Sequence, residues 1–85
     1  MAEKKLVGKI THFFDKIDVG VVELSANLKQ GDMISVEGTT TNFTQTVDSM
    51  QVEHERIDEA KKGQSVGMKM LEKVRPGDHV FRLSE

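Results

Sequence analysis

Residues 28–37 read LKQGDMISVE, and this stretch combines a turn signal with a half-buried strand. Gly31 can adopt the positive φ that a tight turn requires and that other residues resist. After the turn, Ile34 and Val36 share one face of an alternating pattern, which is typical of a strand with one buried side. The order of a Gly-Asp turn followed by a strand recurs in residues 75–80, RPGDHV. We interpret this recurrence as shared turn chemistry in preference to a true repeat, and both copies indicate antiparallel β structure.

Outward from this stretch, the whole chain reads as short strands separated by turn signals. The predicted strands are 6–14, 19–24, 33–37, 43–54, 65–71 and 79–83. About six strands with almost no helix predict an all-β fold, a small closed antiparallel barrel, because closure removes exposed edges. The apolar parity of strand 43–54 changes between Val47 and Met50, which predicts a β-bulge near residues 48–49. Residues 57–62 are the one helix-like segment, a short helical turn that Gly63 would end.

The length of 85 residues predicts a single domain, residues 1–85, with an ordered core of about residues 5–83. The chain has no cysteine, which excludes disulfides and thiolate chemistry. It has no apolar run of the roughly 20 residues that span a bilayer, so we expect no membrane partner and a cytoplasmic location.

Motifs of the common catalytic classes are absent from the sequence. There is no phosphate-binding loop of the G-x-x-x-x-G-K-[ST] type, so we expect no nucleoside triphosphate site, and there is no G-x-S-x-G nucleophile elbow. His12, His54 and His79 lie on three different predicted strands, and a zinc site built from them is the less favoured alternative to three unrelated histidines. We therefore expect no enzyme activity and no cofactor.

The charges are distributed unevenly along the chain. Residues 30–60 carry seven acidic side chains against one basic side chain, whereas residues 61–85 carry six basic against three acidic. The acidic middle argues against a general nucleic-acid coat, but the basic C-terminal third leaves room for one local basic face.

The order of these strands and turns resembles a known family. The motifs are VGKI (7–10), VVEL (21–24), LKQGDMI (28–34), VDSM (47–50), IDEAKKG (57–63), SVGM (65–68) and PGDHV (76–80). This set resembles the second-domain β-barrel of translational GTPases such as elongation factor Tu, and it looks closest to small free-standing elongation-factor-like proteins. The C-terminal barrel of some collagenase-like peptidases is also similar.

The resemblance implies a binding surface without GTP hydrolysis, because the GTP-binding domain of the large factors is missing here. In elongation factor Tu this barrel helps to hold the aminoacylated end of transfer RNA. The matching strands and the basic C-terminal third give the candidate surface Ser49, Gln51, Ser65, Gly67, Lys69 and Lys73. The family has an acidic residue at the position that aligns with Ser49, which is a departure from the pattern.

These observations lead to two functional hypotheses. The first is a non-enzymatic, translation-factor-like binding module that acts on RNA or the translation machinery, with transfer RNA or the ribosome as partner. The alternative is a protein–protein interaction adaptor whose acidic segment, residues 48–59, docks a basic protein partner.

Overall fold

A computed structural model describes residues 3–52 and 55–84, and within them the chain forms β-strands and no helix. The strands are β1 (Glu3–Phe14), β2 (Val19–Leu24), β3 (Leu28–Lys29), β4 (Met33–Glu37), β5 (Asn42–Thr46), β6 (Met50–Val52), β7 (Glu55–Ile57), β8 (Glu59–Ala60), β9 (Ser65–Lys69) and β10 (His79–Ser84). The predicted all-β class is confirmed. Across the same residues, no helix has the length and apolar character needed to cross a membrane.

Eight of the strands form one antiparallel sheet in the order β5-β4-β10-β1-β2-β9-β6-β7, and β3 pairs with β8 in a separate ladder. The backbone ladder of the large sheet ends at β5 on one side and at β7 on the other. Strand pairing in the described residues therefore does not close the sheet, and the predicted closed barrel of about six strands is found only as this larger antiparallel sheet.

The predicted strand 43–54 is interrupted by residues 47–49, which leave the ladder. Before the interruption Thr46 pairs with Met33 of β4, and after it Met50 pairs with Met68 of β9. The chain thus passes from one end of the strand order to a position near the other end. The parity change between Val47 and Met50 arises from this crossing and not from the predicted bulge, and His54 lies outside the described residues.

Gln45 adds a side-chain link between these distant parts of the sheet. Its carboxamide donates a hydrogen bond of 2.8 Å to the carbonyl oxygen of Lys69 and accepts one of 2.8 Å from the amide of Leu71. The side chain is buried, and it joins β5 to the end of β9. A polar side chain is kept in the interior because both of its polar groups have partners.

The core lies between the inward faces of the sheet. Its buried apolar side chains are Val7, Ile10, Val22, Leu24, Leu28, Ile34, Val36, Phe43, Val47, Met50, Ala60, Val66, Met68, Met70, Val74 and Val80. Most of them come from alternate positions of the strands, as the period-two pattern predicts.

The predicted helical turn at residues 57–62 is wrong. β7 ends at Ile57, the chain bends at Asp58, and β8 then pairs with β3 through Leu28 and Ala60. Both of these side chains are fully buried. One or two turns of isolated helix have little stability of their own, so the tertiary pairing of Ala60 decides the local conformation.

Three turns in the chain have the same construction. They are Lys29–Asp32, Lys61–Gln64 and Arg75–Asp78, and in each the third residue is a glycine with a φ between 92° and 98°. The side chain of the fourth residue accepts a hydrogen bond of 2.7–2.9 Å from the backbone amide of the first residue. The turns predicted at 29–32 and 75–78 are confirmed, whereas the one at 61–64 replaces the predicted end of a helix.

Each of these turns is also held by one residue of a distant segment. We call it the holding residue. Its carbonyl accepts a hydrogen bond from the amide of the turn glycine, and its amide donates one to the carbonyl of the fourth turn residue. The holding residues are Val47, Leu24 and Ile10, in the chain order of the turns. The paired bonds fix where β4, β9 and β10 begin.

Candidate functional site

One outward face of the sheet is formed by β1, β2, β9 and β6. Phe14 pairs with Val19, Val21 pairs with Gly67, and Gly67 pairs with Gln51, so these residues lie side by side across four strands. A shallow cavity of about 300 Å³ opens on this face. We call its lining the Gly67 surface: Phe14, Ile17, Val19, Val21, Gln51, Ser65 and Gly67.

The Gly67 surface is apolar and carries no charged side chain. Phe14 is 46% exposed and Ile17 is 57% exposed, although both are large hydrophobic residues. Leu71 is also exposed, and the hydrogen bond of 2.7 Å from the Met70 amide to the Asp18 carbonyl holds it near the turn that contains Ile17. Clustered exposed hydrophobic residues are typical of binding surfaces, whereas single ones are ordinary.

The missing side chain of Gly67 creates the space in this cavity, although the backbone conformation at this position does not require a glycine. Its φ is not positive, and a Cβ built on it would lie 3.2 Å from Cγ1 of Val19, a partly exposed side chain that can move slightly. Gly8 is different, because a Cβ there would lie 2.9 Å from the Glu23 carbonyl oxygen. A glycine inside a strand costs stability and often marks a close approach by another molecule. The Gly67 position fits the second role.

A second cavity of about 560 Å³ lies beyond the aromatic pair His12–Phe14, whose ring centroids are 4.4 Å apart. We call it the Arg75 cavity, and its lining is His12, Phe13, Asp15, Lys73, Val74, Arg75 and Pro76. Within the part of the chain that the structure describes, neither Lys73 nor Arg75 forms an ion pair. The cavity is thus cationic and adjoins the uncharged one.

The structure brings together three of the six candidate residues. Gln51, Ser65 and Gly67 line the same cavity. Lys69 follows on the same face of β9, where it pairs with Val19 and is exposed, but it does not line the cavity.

The other two candidates lie elsewhere. Ser49 is half-buried in the interruption between β5 and β6, and Lys73 lines the Arg75 cavity. The functional importance of all six residues stays a prediction.

Sequence reasoning missed the apolar half of the surface, formed by Phe14, Ile17, Val19 and Val21. Phe14 and Ile17 flank or occupy the first turn, and they look like ordinary turn neighbours in the sequence. The available signal was the pairing of strand 19–24 with strand 65–71, which places Val21 beside Gly67.

The acidic segment, residues 48–59, does not form a metal site in the described residues. No group of three or more His, Asp or Glu side chains is placed to hold a metal ion there or elsewhere in residues 3–52 and 55–84. Glu59 lies 3.9 Å from the Lys29 ammonium, whereas Glu53 and His54 fall outside the described ranges.

No family model matches this chain. It is 41% identical over 80 residues to an uncharacterized protease of Methanocaldococcus jannaschii, a match that covers 93% of this chain and 20% of the relative. It is 34% identical over 85 residues to a collagenase of Porphyromonas gingivalis, covering 98% of this chain and 24% of the relative. The chain therefore spans about a fifth to a quarter of the length of these curated relatives.

The fold is that of a small all-β domain known from a solved structure. The chain superposes with a TM-score of 0.86 on the C-terminal domain of a Geobacillus thermoleovorans protein named as a U32 peptidase, covering 95% of this chain and 93% of that one. The sequence identity of 20% makes this a likeness of fold.

The comparisons overturn the expected identity. The relatives are named as a protease and a collagenase and the solved domain as part of a U32 peptidase, so the identification as an elongation-factor-like protein is wrong. The expected translation-factor-like function on RNA or the translation machinery is overturned with it. Transfer RNA, the ribosome or a protein as partner stays a prediction. The motif order that suggested it consists mainly of Gly-Asp turns and the strands after them. These features determine the architecture of the sheet and carry no information about a ligand.

Proposed function

We propose that this chain is a non-catalytic domain of the U32-peptidase type that binds the polypeptide on which a peptidase acts. The observation that carries this proposal is the uncharged apolar cavity over Gly67, open on the outward face of β1, β2, β9 and β6. A non-catalytic role is supported by the extent of the match, since the chain corresponds to only 20–24% of relatives named as a protease and a collagenase.

The lining of the Gly67 surface suits a polypeptide segment. An aliphatic side chain can enter the space above Gly67 and contact Phe14 and Val21, which would contribute roughly 1.5–3 kcal/mol if it became fully buried. Gln51 and Ser65 supply amide and hydroxyl groups at the same cavity, where they can pair with the backbone of the segment.

We further propose that the sheet works as a closed barrel, which would hold this surface rigid. Support comes from Gln45, whose two hydrogen bonds link β5 to the end of β9, and from residues 47–49, which carry the chain between β5 and β6. A rigid platform lowers the entropic cost of binding.

The test is binding to gelatin, an unfolded polypeptide, measured with immobilised gelatin and the purified chain. Gly67→Leu fills the cavity and should weaken binding about tenfold or more. Thr44→Leu places the same leucine side chain at an exposed position of β5 and should leave binding unchanged. Equal binding by wild type and Gly67→Leu, with both folded by circular dichroism, would contradict the proposed site.

The non-catalytic part of the proposal has its own measurement. Incubation of the purified chain with fluorescent casein and gelatin should release no peptide fragments. Hydrolysis that persists after repeated purification would overturn it.

A further inference from the structure

We propose that the Arg75 cavity is an anion subsite that receives an acidic side chain of the polypeptide held on the Gly67 surface. This inference rests on the proposed function and adds to it the chemical class of the ligand: a segment in which an uncharged apolar portion lies next to an Asp or Glu.

The two cavities share a border, which allows one ligand to reach both. His12 lines the Arg75 cavity and Phe14 lines the Gly67 surface, and their rings are in contact with centroids 4.4 Å apart. Both side chains lie on the outward face of β1, opposite Val21 and Val19 of β2. A segment that crosses this aromatic pair leaves an uncharged site and enters a charged one.

Within the described residues neither Lys73 nor Arg75 forms an ion pair, and the lining of the Arg75 cavity carries more positive than negative charge. Lys73 and Arg75 contribute two positive charges, and Asp15 is the one carboxylate in the lining. Asp78 is close in sequence but does not line the cavity; its buried carboxylate accepts a hydrogen bond of 2.9 Å from the backbone amide of Arg75 and forms no ion pair within the described residues. By contrast, Lys4 and Lys29 each have an acidic partner. The cavity therefore has an excess of positive charge that an acidic ligand would complement.

The available donors favour an acidic side chain over a free terminal carboxylate. Terminal carboxylates are often caught by backbone amides in a nest. Here the Gly77 amide already donates to the Ile10 carbonyl, the Asp78 amide donates to the Arg75 carbonyl, and Pro76 has no N–H. The Lys73 and Arg75 side chains are the charged donors of the lining, and they can reach a carboxylate on a chain that passes across the cavity.

The experiment uses blocked peptides, acetylated and amidated, that contain three leucines and three glutamates in either sequence order. Matched peptides replace the glutamates with glutamine, and a third set carries a free C-terminal carboxylate but no glutamate. Binding is followed by amide chemical shifts of the isotope-labelled chain. We expect the better-oriented glutamate peptide to bind about 3- to 10-fold more tightly than its glutamine counterpart, and the difference to shrink at 0.5 M salt.

The variants separate the subsite from the rest of the surface. Lys73→Gln combined with Arg75→Gln should weaken binding of the glutamate peptide about 3- to 10-fold and so remove the preference for glutamate over glutamine. Lys5→Gln combined with Lys62→Gln removes the same charge from exposed positions elsewhere and should preserve the preference. Gly67→Leu should weaken both peptides equally.

The outcomes distinguish the two proposals. Equal binding of glutamate and glutamine peptides by wild type, with shifts at the Gly67 amide, would overturn the anion subsite and leave the proposed function standing. Tighter binding of the free-carboxylate set would overturn the choice of an acidic side chain. Absence of binding by every peptide would count against the proposed function and the subsite together.

Discussion

The amide of Leu71 donates a hydrogen bond of 2.8 Å to the carboxamide oxygen of Gln45, a residue 26 positions earlier in the chain. The same carboxamide donates to the Lys69 carbonyl, so one buried side chain satisfies two backbone groups, one in the last residue of β9 and one just after it. It joins the first strand of the sheet order to the sixth. The two hydrogen bonds thus link β5 and β9, which have no backbone ladder between them.

Replacement of Gln45 by leucine should therefore destabilise the fold more than an ordinary polar substitution. The change leaves the Lys69 carbonyl and the Leu71 amide without partners, at a cost of about 1–3 kcal/mol for each group that stays buried. We expect a loss of roughly 2–4 kcal/mol in the free energy of unfolding, measured with urea. Thr44→Ala, at the exposed neighbouring position, should change it by less than about 0.5 kcal/mol. A similar small effect for both variants would show that the Gln45 bridge is dispensable.

Because the three turns are equivalent, replacing the glycine of each by alanine should lower the free energy of unfolding by a similar amount. Gly31, Gly63 and Gly77 have positive φ, and a Cβ on any of them would meet no atom within 4 Å, so an alanine there introduces backbone strain without a clash. Each alanine variant should lose about 1–2 kcal/mol of stability by chemical denaturation. Widely different losses would show that turns with the same hydrogen-bond pattern do not contribute equally to the free energy of unfolding.

Two glycines of the sheet should respond in opposite ways to alanine. Gly8→Ala places a Cβ against the Glu23 carbonyl oxygen, which is backbone and cannot move aside easily, so we expect a loss of about 1–3 kcal/mol. The Cβ of Gly67→Ala lies close only to the partly exposed Val19 side chain, since the Gln51 carbonyl oxygen is at an ordinary contact distance of 3.9 Å. The entropic benefit of alanine should therefore make the variant as stable as wild type or slightly more stable. Thermal unfolding of both variants gives the comparison. A strong destabilisation by Gly67→Ala would mean that the fold, and not a ligand, requires the glycine.

Glu37 provides a prediction about pH. Hydrogen bonds from the Lys4 ammonium, the larger effect, and from the Ser35 hydroxyl hold the pKa of this carboxyl below its usual value of 4.5. A depressed pKa means that the interaction stabilises the fold above the unfolded pKa and that this contribution disappears as the pH falls through the lower, folded value. Lys4→Gln should therefore raise the pKa of Glu37 in a carboxyl-carbon NMR titration, and it should flatten the decline of stability below about pH 4.5.

Lys5→Gln, one residue along, serves as the control for this pH prediction, since Lys5 has no ion pair in the described part of the chain. The titration of Glu37 should be unchanged in that variant. An equal shift in both variants would indicate a general effect of net charge in place of a direct contact.

The sequence contains enough information for the fold class and for two of the three equivalent turns, because alternation and Gly-Asp signals are local. It does not reveal the third turn, where Gln64 takes the part that Asp32 and Asp78 play in the others. The conformation of Ala60 is also hidden, since its pairing with Leu28 is a tertiary contact that overrides a weak helical preference.

The sequence-based candidates cover the part of the Gly67 surface that lies in β6 and β9 and not the part that lies at the first turn. Gln51, Ser65 and Gly67 were candidates through a resemblance to the wrong family; they line one cavity, and their function stays a prediction. Phe14 and Ile17 were not among the candidates, because the sequence does not show which residues pack beside a hydrophobic side chain at a turn.

The exposed hydrophobic residues give a final comparison between two faces of the molecule. Phe14 is 46% exposed on the Gly67 surface, and Leu6 is 45% exposed on β1, where it pairs with Phe81 on β10. Serine at either position removes a similar exposed hydrophobic group and should change the free energy of unfolding by no more than about 1 kcal/mol. Phe14→Ser should nevertheless weaken gelatin binding severalfold, because the ring forms a wall of the cavity, whereas Leu6→Ser should bind as wild type does. If Leu6→Ser is the variant that loses binding, the ligand occupies the face formed by β1, β10 and β4, and the Gly67 surface is not the site.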